Sequence, residues 1–195
     1  MTRRERQALT RERLIAVATE ELIRSGYRGT SLERVADAAG FSKGAVYSNF
    51  ASKEDLVLAV LDQRYLHRLD RLRDELEASP ETIADRLATF SRWWEELITE
   101  HGWGTLIFEL ASHSRDKPDV QEQMRLRERK IVDYVALLLQ GEADRFGMTL
   151  AMPAHDLATV LVSLGSGLSF SSMVEPDTPV HVMTDVARLV LLGSI

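Results

Sequence analysis

Three observations predict an all-α fold. Apolar residues recur every three or four positions along most of the chain, strand-like alternation is scarce, and proline and glycine fall between the apolar stripes. Leu14, Ala18 and Leu22 predict a first helix over about residues 10–25. Residues 31–50 follow as two short helices joined by a tight turn. Leu61, Tyr65, Leu69, Leu72 and Leu76 mark a longer helix from about residue 53, which Ser79-Pro80 ends. Ile83, Leu87, Phe90, Trp94 and Leu97 form the next stripe. Val120, Met124, Ile131, Val135 and Leu138 form another, opened by Lys117-Pro118 and closed by Gly147. Met152-Pro153 and Thr178-Pro179 then start two last helices, over about 154–173 and 180–192. Nothing repeats at a fixed period, so a solenoid is not expected.

The chain has 195 residues, 45% apolar and 28% charged. A chain of this size buries roughly 70% of its unfolded surface and needs no covalent staple. It contains no cysteine, which excludes disulfides, thiolate zinc sites and cysteine nucleophiles. The N-terminal segment lacks the apolar stretch of a secretory signal. Apolar runs such as Val135 to Leu139 and Leu189 to Leu192 are short against the roughly 20 residues that span a bilayer. A cytoplasmic, soluble protein with no membrane partner is therefore expected. The net charge of −6 is unevenly spread. Residues 1–53 hold ten Lys/Arg against six Asp/Glu, and residues 54–195 hold fourteen against twenty-four. A basic first quarter on an acidic body fits a nucleic-acid reader joined to another kind of domain, or an arginine-rich solvated arm. The predicted domains are 1–53 and 54–195, with the change inside a continuous helix.

Residues 31–50 have the spacing of a helix-turn-helix. Two helices that cross steeply through a short turn need a small residue at their approach, and Ala36 supplies it. Gly40 suits the left-handed end of the first helix. Phe41 and Val46 are expected to point into the small core, with Val35 opposite. Ser42 is a good N-cap for the second helix, as Thr30 or Ser31 is for the first. The second helix is then the one to lie in a major groove.

Gly26-Tyr27, Thr30-Ser31, Ala36 with Gly40, Phe41 to Tyr47 and Phe50-Ala51-Ser52-Lys53-Glu54-Asp55-Leu56 together resemble the N-terminal domain of TetR-family transcriptional regulators. The match covers about residues 10–60; beyond it, only length and helical character agree. The resemblance implies a homodimeric repressor whose first three helices bind a double-stranded operator and whose other helices form an effector pocket and a dimer interface. It assigns DNA contact to Thr30, Ser31, Ser42, Lys43, Gly44, Ala45, Tyr47, Ser48, Asn49 and Lys53. Lys43 can meet phosphate or a guanine edge, bare backbone at Gly44 allows close approach, and Ala45 can meet a thymine methyl. Tyr47 and Lys53 resemble family residues that touch phosphate. Asn49 stands where histidine is common in the family, and Ala51 where proline or lysine is frequent. Arg3, Arg4 and Arg6 form either an arm for a minor groove or a frayed terminus.

Trp93, Trp103, Phe108, Met124, Tyr134 and Phe170 are candidates to line an apolar pocket or to be plain core. Glu109 interrupts an apolar run, as a surface residue or as a carboxylate for a ligand. The last two helices are apolar on more than one face: Leu157, Val160, Leu161, Leu164 and Leu168, then Val182, Val186, Leu189 and Val190. A dimer interface through Leu157, Leu161, Leu164, Leu168, Val182, Val186, Leu189 and Val190 is expected, unless both faces are covered within one chain. The five histidines show no pair at four-residue spacing, so neither a metal nor another cofactor is expected. Leu164-Gly165-Ser166-Gly167 lacks the glycine of a nucleophile elbow, and Gly165 and Gly167 are read as permitting close helix approach. The expected function is a ligand-responsive DNA-binding regulator, most simply a repressor released by a small hydrophobic or aromatic effector, with no catalysis. The rival readings are a helical interaction adaptor and a small helical enzyme.

Overall fold

The computed structural model describes residues 2–78, 82–99 and 103–192, the side chains of residues 3, 99, 103, 104, 191 and 192 lying outside that description. Among the described residues it is all-α: α1 (Arg3–Gly29), α2 (Leu32–Ala39), α3 (Lys43–Tyr47), α4 (Lys53–Ala78), α5 (Ile83–Thr99), α6 (Trp103–His113), α7 (Pro118–Phe146), α8 (Ala154–Val174) and α9 (Val182–Leu192). The helices group into two compact units, Met1–Leu66 with Thr105–Met124, and His67–Gly104 with Arg125–Ile195. Compactness therefore does not divide the chain at residue 53. The start of α4 stays in the first unit because Leu56, Val57, Val60 and Leu61 are buried there, and 105–124 joins it with Leu106, Leu110 and Val120 buried.

In the first unit α2 packs on α1 and α3 on α2. Leu14, Ala18 and Leu22 of α1 are buried, as the stripe required, along with Leu32, Val35, Ala36, Val46 and Phe50. Phe41 is only half-buried. The arginine-bearing terminus is helical rather than frayed. Thr2 caps α1 by accepting from the Glu5 N–H at 3.2 Å, and the Glu5 carboxylate accepts from the Thr2 N–H at 2.8 Å. Arg4 and Arg6 are thus exposed on the first turns of a helix. The other end of α1 breaks at Gly26, whose φ of 66° and ψ of −178° interrupt the helix.

The second unit is built on Leu69, Leu72 and Leu76 of α4, Trp93 and Trp94 of α5, Leu157 and Leu161 of α8, and Met183 of α9. Both buried indoles have their N–H satisfied, Trp93 by the Arg68 carbonyl at 2.9 Å and Trp94 by the Val180 carbonyl at 2.8 Å. Gly165 lets α8 approach closely: a Cβ there would meet the Trp94 ring and the Met183 methyl at 3.3 Å. Gly167 has no such neighbour, so close approach explains only the first of the two. Arg86 is buried, pairs with Glu142 and donates to the Leu76 carbonyl.

Two expectations about the last helices change. Leu157 and Leu161 belong to the chain's own core and cannot form a dimer surface, while Leu164, Leu168, Val186 and Val190 are half-buried against that core. The residues α8 turns outward are instead Val160, Phe170, Met173 and Val174. Taken whole, α8 is long and apolar enough by length and composition to cross a membrane, which the short uninterrupted runs concealed.

Candidate nucleic-acid interface

The turn between α2 and α3 is built as its sequence requires. Ser31 caps α2 by accepting from the Arg34 N–H at 3.2 Å, and Gly40 ends it at φ 70°, in the left-handed region, with the Phe41 N–H closing onto the Ala36 carbonyl at 3.0 Å. Ser42 caps α3 through the Ala45 N–H at 3.2 Å. Val46 is the buried anchor of α3. With that face fixed inward, Lys43, Gly44, Tyr47 and Ser48 are exposed and Ala45 half-buried. At the end of α3, Ser48 Oγ and Asn49 Nδ2 both donate to the Ala45 carbonyl, at 2.9 and 2.8 Å, which fixes the exit of the helix.

Two residues expected at the DNA face are turned elsewhere. Thr30 is buried, and its hydroxyl donates to the Gly26 carbonyl at 2.9 Å, bracing the break in α1. Lys53 is half-buried, with its ammonium 4.0 Å from the centre of the Tyr27 ring. Burial pulls its pKa below that of an ordinary lysine, against the opposing pull of Glu54 and Glu109. Tyr47 keeps an exposed ring, but its hydroxyl donates to Glu33 Oε1 at 2.6 Å.

Behind this face lies a polar cluster that sequence reasoning did not assemble. The Tyr27 hydroxyl donates to Glu54 Oε1 at 2.8 Å, and Lys117 Nζ donates to the same oxygen at 2.6 Å. Glu109 accepts from the Tyr27 backbone N–H at 3.1 Å, and so answers a donor freed by the break at Gly26. His113 lies with its ring centre 5.0 Å from that of Tyr27 and its Nδ1 2.7 Å from the Glu109 carbonyl. Burial first, then the hydrogen bond to Glu54, pushes the Tyr27 hydroxyl far above the usual tyrosine range. The hydrogen bonds of the cluster join residues 63 and 82 positions apart, so local patterns carry no signal for it. Gly26-Tyr27, Glu54 and Glu109 were each legible singly, but not their meeting.

The other pocket candidates do not converge. Trp93 is core, while Tyr134 packs on the same cluster and its hydroxyl donates to Asp70 at 2.8 Å. Phe108, Glu109 and Met124 belong to the first unit, Phe170 is exposed on α8, and the Trp103 side chain lies outside the described residues. Among the described residues no group of His, Asp and Glu is arranged to hold a metal.

A capped α2, a left-handed glycine turn and a short α3 with a polar outer face define a helix-turn-helix DNA-binding protein. Residues 14–60 match the family model described as bacterial regulatory proteins, tetR family. Over those residues the chain is similar to that family of transcriptional regulators. It is 24% identical over 168 residues to the HTH-type transcriptional repressor NemR of Escherichia coli strain K12, covering 85% of this chain and 84% of NemR. Its fold is similar to that of the regulator FadR of Bacillus subtilis in complex with stearoyl-CoA, with TM-score 0.67, 14% identity, and 94% and 99% of the two chains covered. It is similar also to SmeT in a triclosan complex, with TM-score 0.65, 21% identity, and 92% and 90% covered.

Proposed function

We propose that this protein is a repressor that binds a pseudo-palindromic duplex operator as a homodimer and is released from it by a small hydrophobic effector. The observation that carries the reading is the outer face of α3, where Lys43, Gly44 and Tyr47 are exposed on a helix anchored by Val46. Ser31, Ser42, Ala45, Ser48 and Asn49 shape and flank that face. Lys43 supplies a point charge for phosphate or a guanine edge, and Gly44 removes the side chain that would hold the helix off the groove. A duplex-reading regulator acts where the chromosome is, which for this reading is the cytoplasm.

The dimer is assigned to the outward side of α8 and α9. Val160, Gly167 and Val174 recur every seven residues, with Phe170 beside them, and Leu189 is exposed on α9. An apolar stripe of this kind is hidden from water by a second copy of the same helices, which gives a two-fold interface with Leu164, Leu168, Val182, Val186 and Val190 at its edge. The same interface accounts for an apolar α8 without a membrane.

The effector is assigned to the second unit, where Phe90, Tyr134, Leu138 and Leu168 are half-buried beside the core. That FadR holds stearoyl-CoA and SmeT holds triclosan supports an apolar effector. Its route to the DNA face is through α4, which runs unbroken from Lys53 to Ala78 and contributes residues to both units. The test is to map where the protein binds its own genome and to titrate the recovered duplex with long-chain acyl and chlorinated aromatic compounds. Linkage requires that any compound releasing DNA bind less tightly to the DNA-bound dimer. A protein that prefers no sequence, or whose bound compounds have equal affinity with and without operator, would sink the reading.

A further inference from the structure

We propose that Glu33 sets the DNA affinity of this protein by competing with the phosphate backbone for the hydroxyl proton of Tyr47. The inference rests on the reading of α3 as the helix that meets DNA. Tyr47 leaves the last turn of α3, and its hydroxyl is 2.6 Å from Glu33 Oε1 in the first turn of α2. A phenol has one proton to donate. While Glu33 accepts it, an approaching phosphate, itself only an acceptor, meets lone pairs and a carboxylate. Tyr47 therefore cannot serve Glu33 and the DNA backbone together.

The surroundings keep Glu33 ionised and in place. The Tyr47 hydrogen bond, its own backbone N–H, the Ser31 hydroxyl and the charge of Lys43 hold its carboxyl below the usual glutamate range. The N-terminus of α2 favours an anion there as well. The attraction between Glu33 and Lys43 means that the carboxylate also draws on the cation expected to meet DNA. Any duplex must then displace Glu33 from Tyr47 and accept a negative charge beside its own. Phosphates are alike at every step of the duplex, so this cost is independent of base sequence. Glu33 lowers affinity for all DNA and leaves the choice of sequence to other residues. A uniform reduction leaves the ratio of operator to nonspecific binding unchanged and raises the fraction of protein free of DNA.

The experiment uses the full chain, wild type and the variants Glu33→Gln, Glu33→Ala, Tyr47→Phe and the double variant Glu33→Ala with Tyr47→Phe. Binding is followed by fluorescence anisotropy on a mixed-sequence duplex and on the duplex recovered from genomic mapping, across a salt series. Glu33→Gln and Glu33→Ala are expected to tighten both duplexes by a common factor of roughly three to ten and to steepen the salt dependence by up to about one unit. Tyr47→Phe is expected to cost about threefold more in the Glu33→Ala background than in wild type, because only there does the hydroxyl proton lose its acceptor at residue 33 and become free for phosphate. Weaker or unchanged binding in both Glu33 variants, or an additive double-mutant cycle, overturns the proposal. So does a change in the preferred base, which would make Glu33 a reader of a cytosine amine. If the variants tighten the mixed duplex while no sequence is preferred, the operator reading fails and this one stands. If an operator is found and the variants do not move it, only this one fails.

Discussion

Glu54 carries the largest share of the polar cluster behind the recognition helix. Burial by itself would raise its pKa; the Lys117 ammonium, its own backbone N–H and the Tyr27 hydroxyl outweigh that and bring it down to about 2. The unfolded chain takes up this proton near the ordinary 4.5, before the folded chain does. The stability contributed is therefore complete above about pH 4.5 and is lost as the pH falls toward about 2. Glu54→Gln should cost about 1–3 kcal/mol near neutral pH and flatten that part of the acid limb in thermal melts. A variant whose melting midpoint follows wild type through the whole window contradicts the pairing. Lys53 gives a second expectation, contrary to its family role at phosphate. With its ammonium on the Tyr27 ring, Lys53→Ala should lower stability by about 0.5–2 kcal/mol. It should leave the salt dependence of DNA binding within roughly half a unit of wild type, the margin that separates one phosphate contact from none. A slope reduced by a full unit would restore Lys53 to the DNA backbone.

Helices here are positioned by small residues as much as by large ones. Gly40 turns the chain from α2 into α3, and Gly165 seats α8 against Trp94 and Met183. The two helical glycines of α8 should respond oppositely to alanine. Gly165→Ala places a Cβ at 3.3 Å from a buried indole and a methionine methyl, and overpacking of this kind costs about 1–3 kcal/mol. Gly167→Ala meets open space in the protomer and gains roughly 0.5–1 kcal/mol of helix propensity. Denaturant titration of both variants checks the contrast, and equal responses would show that Gly165 is not a packing position. At this scale the sequence was largely legible. Caps, prolines and apolar stripes located eight of the nine described helices. The missing one, α6, lacks a cap signal, and its apolar run reads equally as strand or helix until Leu106 and Leu110 are seen buried four residues apart.

For the whole molecule, the proposed dimer joins its two recognition helices through the outer stripe of α8. Val174 is 72% exposed and Val160 46% exposed in the protomer, so both can be changed with little loss of internal packing. Val174→Lys with Val160→Asp should leave the helical content and the melting of the second unit intact while sedimentation shows a monomer. That monomer should bind a full operator no more tightly than a half-site, since the two-fold match to DNA is gone. A doubly substituted protein that remains a dimer would move the interface away from α8.

The sequence by itself determined most of the helices, the small-residue turn, the capping serines and the family resemblance over residues 14–60, because each depends on residues within a few positions of one another. That Lys43 is exposed beside a buried Val46 three residues on is a result of the structure, since helical spacing alone would put the two on one side. Only the tertiary structure decided which side chains of the right type are free to act. Thr30 and Lys53 have the chemistry to meet DNA but are committed to Gly26 and Tyr27. Glu109 suits a ligand but closes the broken end of α1. Leu157 and Leu161 suit an interface but complete a core. Helical periodicity reports that a face is apolar, not what covers it, and hydrogen bonds between residues 82 positions apart leave no trace in local spacing.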